Sequence, residues 1–541
     1  SVTSGQIGYD SSADAYKLEA TVTDASSNSI YQDVTVDGLK TISVFVKAGN
    51  NESGTQSLRL SLNEFLTSDP DTKFNSRAFF DLSDGSVTST SGNVVSTHSE
   101  SFGGGWFRLS MSVNVPSANT ADRVVVFMGS GGTIINDQTS GDFFFIQNFQ
   151  LEIGLAATDY IETGATTAKA GVLEDEPRFD YTGGGCPALL IEGNATNLIE
   201  HSEYAGSYTT SGTGTVTDNH STSPEGVLNA FQLNDTNASG YFRIEEDITI
   251  SSENVGDHTL SVFIKKTTGS LSHYAGVQLD SARQYVIVDT TNGTANEVIG
   301  TANDSFSVED FSDDYWRVSI TNDLASAADY RVALWPAISE NGTDISTAAT
   351  GSNVFYGIQL EKGSYATSYI PTYGSSATRT YDDPNDLVHG ITMGTSCSFF
   401  VEATNFKVTE TGGAQTSFLQ IMDATSPSTT DRFLLAGVSN TASTFTLQAQ
   451  NKESGTPATD TLTKTLMTMG SPFKALARYD GTSFDLFVNG VLEGSATIVA
   501  DDHFGRVGLK NLTSQQQNGH SIKQVILFDS ALSNNDAEII T

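Results

Sequence analysis

Apolar and polar positions alternate in short runs along most of this chain. "ISVFVK" (42–47), "LRLSL" (58–62), "RVVVFMG" (123–129), "LSVFIK" (260–265) and "RVALWPA" (331–337) each have a period of two and are bounded by Gly, Asn and Asp turns. Runs of this length and spacing predict antiparallel strands in β-sandwiches. Few stretches show helical periodicity, and no apolar run reaches the ~18 residues of a membrane span.

The pattern repeats. "QLEIGLAATDYIET" (150–163) and "QLEKGSYATSYIPT" (359–372) share nine of fourteen positions. Upstream, "GLKTISVFVKAG" matches "GDHTLSVFIKKT", and "GGGWFRLSMSVNV" matches "DDYWRVSITNDL" with Trp106 set against Trp316 and Arg108 only loosely against Arg317. Two jelly-roll-like sandwiches are therefore predicted over 1–163 and 197–373. A packing role is expected for Trp106 and Trp316, and a core or face position for Trp335. The second copy carries a lead-in, "NLIEHSEYAGSYTTSG" (197–212), that the first lacks, so a segment preceding Ser1 is expected to supply the first strand of the first sandwich. The stretch 164–196 reads as a docked linker, because "CPALLIEG" is too apolar for a tether, and a short strand is expected at Ala188 to Ile191.

A third region, 374–541, also reads as strands but in a different order. "YDGTSFDLFVNGVL" predicts two strands joined by a tight type I′ turn at Asn489-Gly490. In "SALSNNDAEIIT", Ser533 is an N-cap with Asp536 three residues on, which predicts a short closing helix.

The 541 residues suffice for three or four domains, and 64 acidic against 27 basic residues give a net charge of −37. That balance argues against nucleic acid or an anionic membrane as partner and favours a soluble, well-solvated surface. The two cysteines, Cys186 and Cys397, stand far apart and are expected to be free thiols; no His/Cys cluster has zinc spacing. Neither a nucleophile elbow nor a phosphate loop is present, and no carboxylate pair stands out among so many acids, so no catalytic residue is assigned and a non-enzymatic role is expected.

"FKALARYDGTSFDLFVNG" and "IKQVILFDSALSNNDAEII" resemble the laminin-G/concanavalin-like lectin fold. "PRFDYTGGGCPALLIEGNATNLIEHSEY" resembles a segment of bacteriophage tail-fibre and virion appendage proteins, and the "QLE-G-AT-YI-T" closure resembles the end of carbohydrate-binding-module-like jelly rolls. The fold class expected is all-β: tandem antiparallel sandwiches, two jelly-roll-like and one concanavalin-like. The resemblance implies a virion structural appendage, extracellular on the particle surface, that attaches to host-surface glycan beside other virion proteins. It implies an oligomer, with trimers common in the class, and no membrane insertion. A secreted bacterial adhesin and a polysaccharide depolymerase are the rival readings.

Sugar recognition asks for an aromatic face flanked by planar hydrogen-bonding groups. Tyr274, Gln278, Arg283 and Tyr285 in the second sandwich, and Asp431, Arg432 and Asn451 in the third, are the candidates. Glu152 and Glu361 recur in the closure. Fastening the last strand is the first reading for them, and ligation of a structural calcium ion, as such jelly rolls hold, is the second. No other cofactor is expected.

Overall fold

The period-two runs form strands, and the strands pair antiparallel throughout the described sheets. The computed structural model describes residues 1–23, 28–50, 56–64, 75–116, 122–130, 138–169, 177–181, 186–268, 273–280, 285–298, 302–339, 349–384, 387–393, 396–407, 415–422, 432–441, 443–452, 460–498, 504–509 and 518–541. The chain is all-β, in three sandwiches. Among the described residues the one α-helix is Asn534–Ile540, with the Ser533 side chain accepting from the Asp536 N–H.

In the first sandwich a six-stranded sheet runs in the order Val2–Gln6, Ala15–Glu19, Phe143–Ile153, Gly38–Asn50, Trp106–Val115, Val94–Gly103. Its partner has five strands, Ser29–Val34, Asp122–Ser130, Gln56–Glu64, Asn75–Asp81 and Val87–Ser91. Ile42, Val44 and Val46 from one sheet meet Leu58, Leu60 and Leu62 from the other in one core. Each such fully buried aliphatic side chain contributes about 1.5–3 kcal/mol. The second sandwich repeats this with two six-stranded sheets. Ala230–Asp235, Gly351–Lys362, Gly256–Lys265 and Tyr315–Leu324 correspond to Ala15–Glu19, Phe143–Ile153, Gly38–Asn50 and Trp106–Val115.

Strand pairing corrects the register of the repeat by one residue. Trp106 lies opposite Lys47, and it is Tyr315, not Trp316, that lies opposite the corresponding Lys265. Trp106 packs with Ala15 and Phe45, as Tyr315 packs with Ala230 and Phe263. Trp316 corresponds to Phe107 on the opposite face, and its indole N–H donates to the Thr290 carbonyl.

The third sandwich draws strands from two distant parts of the chain. Its seven-stranded sheet runs Arg178–Asp180, Ala188–Ile191, Gly519–Phe528, Cys397–Lys407, Phe473–Tyr479, Ser483–Val488, Val491–Thr497. The strand expected at Ala188–Ile191 is present, and it completes this sheet: Leu189 pairs with Ile522, and Ile191 is buried in the third core. The span read as a linker is thus built into the last sandwich, and 197–373 lies between two of that sandwich's strands. Arg178 bridges Glu192 (2.5 Å) and Asp382, and Arg379 meets Glu192 from the other side at 3.0 Å. Next to these ion pairs, Ala195–Asn197 pairs with Ala377–Arg379. At the Ser483–Val488/Val491–Thr497 hairpin, Asn489 and Gly490 both have positive φ (48° and 81°), as a type I′ turn requires.

Candidate functional site

The repeated closure motif is a hydrogen-bonded clamp. Glu361 accepts at Oε1 from the Thr367 N–H (2.8 Å) and the Gln359 amide (2.6 Å), and at Oε2 from the Thr367 hydroxyl (2.7 Å). Gln359 Oε1 in turn accepts from the Ile370 N–H at 2.7 Å. Arg317, stacked over Phe263, donates to the Thr367 carbonyl at 2.5 Å. The first copy repeats each part with Glu152, Thr158, Gln150, Ile161 and Arg108 over Phe45. The motif ties the tail that leaves each sandwich back onto its last strand, which fits the first reading of Glu152 and Glu361. For the calcium reading, no group of three or more His, Cys, Asp or Glu gathers around either residue among the described residues.

A second cluster seals the lead-in of the second sandwich. Glu203 is fully buried and accepts at Oε1 from the hydroxyls of Tyr369 (3.0 Å), Tyr373 (3.2 Å) and Tyr356 (3.3 Å), and at Oε2 from Asn229 (3.0 Å). Burial, helped by the charge of Glu225, pushes its carboxyl up to about 7. Asp218, raised to about 6 by burial, accepts from the N–H of Ala205 at 2.8 Å.

An aromatic and charged patch lies on the outer face of the second sandwich's other sheet, in which Phe242–Ile250, Ala328–Trp335, Tyr274–Leu279 and Tyr285–Asp289 are neighbours; Trp335 at its centre is fully buried. Alternation sends Phe242, Ile244, Val277, Val286 and Leu334 to the core and leaves Arg243, Glu245, Gln278, Tyr285 and Trp335 on the other side. Register places Ala333 opposite both Glu245 and Gln278, and Trp335 opposite Gly276, whose missing Cβ makes room for the indole and Ile338. Tyr285 lies 5.6 Å from Trp335, and Tyr241 and Tyr274 pack against the same patch. The Arg243 guanidinium sits 5.3 Å from both Tyr241 and Trp335 and pairs with Glu245 at 2.6 Å. Arg331 forms a two-pronged bridge to Asp247 (2.8 and 3.1 Å). The first sandwich offers a variant of this face: Arg59 stacks 3.6 Å over Phe127, the residue aligned with Trp335, and Arg123 grips Asp33 with two hydrogen bonds.

Of the sequence candidates, Tyr274, Gln278 and Tyr285 are brought together on this face, with Tyr274 half-buried and the other two buried beneath their neighbours. Arg283 and Asp431 lie outside the described residues. Arg432 and Asn451 are both buried and do not share a face: Asn451 is opposite the core residue Phe433, while Arg432, one position earlier, donates to Gln420 at 2.9 Å. Tyr241, Arg243 and Glu245 were missed. Their signal was the alternation of "YFRIEED", in which every second residue is polar or aromatic.

No protein-family model matches the chain, and no curated protein matches it. Among solved structures it is similar to a carbohydrate-binding module, CBM40, of a Ruminococcus gnavus sialidase bound to α2,3-sialyllactose (17% identity, TM-score 0.23, 30% of this chain and 94% of that one). It is also similar to the tandem CBM22 domains of Paenibacillus barcinonensis Xyn10C (9%, TM-score 0.20, 68% and 90%). A third similar structure is the LG4-5 pair of mouse laminin α1 (12%, TM-score 0.20, 55% and 90%).

Proposed function

We propose that this protein is a non-enzymatic glycan-binding protein, a display arm of a virion appendage that attaches to host-surface carbohydrate. The observation that carries the reading is the outer face of the second sandwich, where the half-buried Tyr241 and Tyr274, backed by the buried Tyr285, Trp335 and Gln278, adjoin Arg243 and Glu245. Aromatic faces take the C–H side of a pyranose, and planar charged groups held by partners select its hydroxyls. A binding rather than bond-breaking role is supported by the two most deeply buried of the carboxyls that burial raises, Glu203 and Glu361, each of which spends both oxygens on protein donors. The virion setting rests on the resemblance of the 177–204 segment, and oligomerisation would add avidity to weak sugar contacts. The same face would serve a bacterial adhesin.

The test is a glycan array probed with the full chain, followed by titration of the best oligosaccharide. Binding should saturate, and Tyr274→Ala or Arg243→Ala should each weaken it about tenfold. An array without binding, together with release of reducing ends from host polysaccharide, would overturn the reading.

A further inference from the structure

Where the lead-in lies in the second sandwich, the first has a groove. In the second, the lead-in runs beside Gly351–Lys362 as an extended strand. The Leu198 N–H donates to the Leu360 carbonyl, and the Ile358 N–H to the Ser202 carbonyl. Asn197 is fully buried. Its amide donates to the carbonyls of Ile358 (3.1 Å) and Ile370 (2.9 Å), and its oxygen accepts from the N–H groups of Ile199 and Leu360, each at 3.1 Å. Two residues on, Ile199 enters the core with no exposed surface, against Phe231, Phe355, Ile358 and Leu360.

In the first sandwich none of the described residues fills this position. The partner strand Ala15–Glu19 pairs with Phe143–Ile153 only as far as Ile146, so the Gln147–Ile153 edge continues beyond it. Tyr16, aligned with the fully buried Phe231, is 46% exposed. Phe149 and Leu151, aligned with buried Ile358 and Leu360, are only partly covered. Tyr16, Leu18, Ile30, Phe149 and Tyr160 line a cleft of about 400 Å³ there, with Asp14 at its rim. The strand bulges at the same point in both copies, at Asn148 (φ 52°) and Gly357 (φ 63°), so the backbone that receives the lead-in is alike. A separate gap agrees. The lead-in goes on to form the edge strand Thr209–Gly212 beside Phe242–Ile250, whereas the counterpart of the latter, Ser29–Val34, is itself an edge strand among the described residues.

We infer that this groove is a docking site for an extended polypeptide strand of the lead-in kind, with Asn two residues ahead of a large aliphatic side chain. The Asn would bind the carbonyls of Phe149 and Ile161 and the Leu151 N–H, the aliphatic group would fill the space between Tyr16 and Phe149, and the following residues would add a strand beside Ser29–Val34. This is strand addition at a free sheet edge, with one side-chain pocket setting the register.

The test titrates a labelled peptide of residues 195–212 with the full chain, following anisotropy. Saturable binding is expected, weakened at least about tenfold by Asn197→Ala in the peptide and by Ile199→Ala. Hydrogen exchange on the unsubstituted chain should show 147–153 and 29–34 protected by the peptide, which keeps the site assignment independent of any variant that fails to fold. Phe149→Asp should abolish binding. Affinity no better than that of a scrambled peptide, protection elsewhere, or an oligosaccharide protecting 147–153 in the peptide's place would overturn the inference.

Discussion

Replacing Glu203 with Gln should remove a pH dependence that the fold imposes on itself. In the folded chain the buried carboxyl holds its proton up to about 7, against an ordinary value of 4.5. The unfolded chain releases that proton at lower pH, so the native state binds more protons across the window between. Stability from this group is therefore fully present below pH ~4.5, is lost as pH rises, and levels off above about 7. A displacement of this size is worth about 3 kcal/mol. The carboxamide introduced by Glu203→Gln would keep the acceptor for the three tyrosine hydroxyls, and Asn229, whose own oxygen has no partner among the described residues, can turn to accept from the new amide. Denaturant unfolding followed by tryptophan fluorescence reports on this sandwich, which holds Trp316 and Trp335 of the chain's three tryptophans. The two proteins should be nearly equal in stability at pH 4.5, with the variant about 3 kcal/mol ahead at pH 8. Glu246, raised to about 7, and Asp218, raised to about 6, add the same slope to both proteins and cancel in the comparison. Parallel pH profiles would refute the reasoning.

His520 gives the opposite slope. It is fully buried, and burial depresses it to about 3, so the third sandwich should lose up to about 5 kcal/mol as pH falls from 6.5 toward 3, and His520→Gln should flatten that profile in acid-unfolding curves. Arg178→Met strips Asp382 of its guanidinium and leaves Glu192 with Arg379 alone; a loss of about 3 kcal/mol and faster proteolysis within 177–192 are expected. Asn197→Ala in the full chain orphans four buried backbone groups and should cost about 3 kcal/mol or more, read by the same fluorescence transition. Asn148→Gly should be neutral within about 0.5 kcal/mol, whereas Asn148→Val, forced to a positive φ of 52°, should lower the stability by about 1–2 kcal/mol.

What could be read in advance depended on whether the signal was local. Strand runs, the Asn489-Gly490 turn and the Ser533 cap are specified by neighbouring residues, and each stands where its pattern put it. The closure motif was visible as a repeat, but its clamp was not. Glu361 and Thr367 are six positions apart in sequence, while Arg317, which completes the set, comes from another strand. The tryptophan register slipped because two identical aromatics were matched in place of the alternation around them; "WFRLS" and "YWRVS" align correctly once Arg108 and Arg317 are held together. The aromatic face of the second sandwich was half legible. Tyr274, Gln278 and Tyr285 share one hairpin, but Arg243 and Trp335 reach it through sheet neighbours about 30 and 60 residues away, which no window of sequence contains.

Because Ala188–Ile191 is hydrogen-bonded into the last sheet, a tug on the first sandwich reaches the third through that strand before it can travel around residues 197–373. The Arg178, Glu192, Arg379 and Asp382 side chains rivet together the two ends of that loop. The second sandwich therefore hangs from the load line as a pendant. Force pulled between the first and third sandwiches would load the seam at 188–191 and 520–522 in shear, and the second sandwich would keep its shape while that seam bears it.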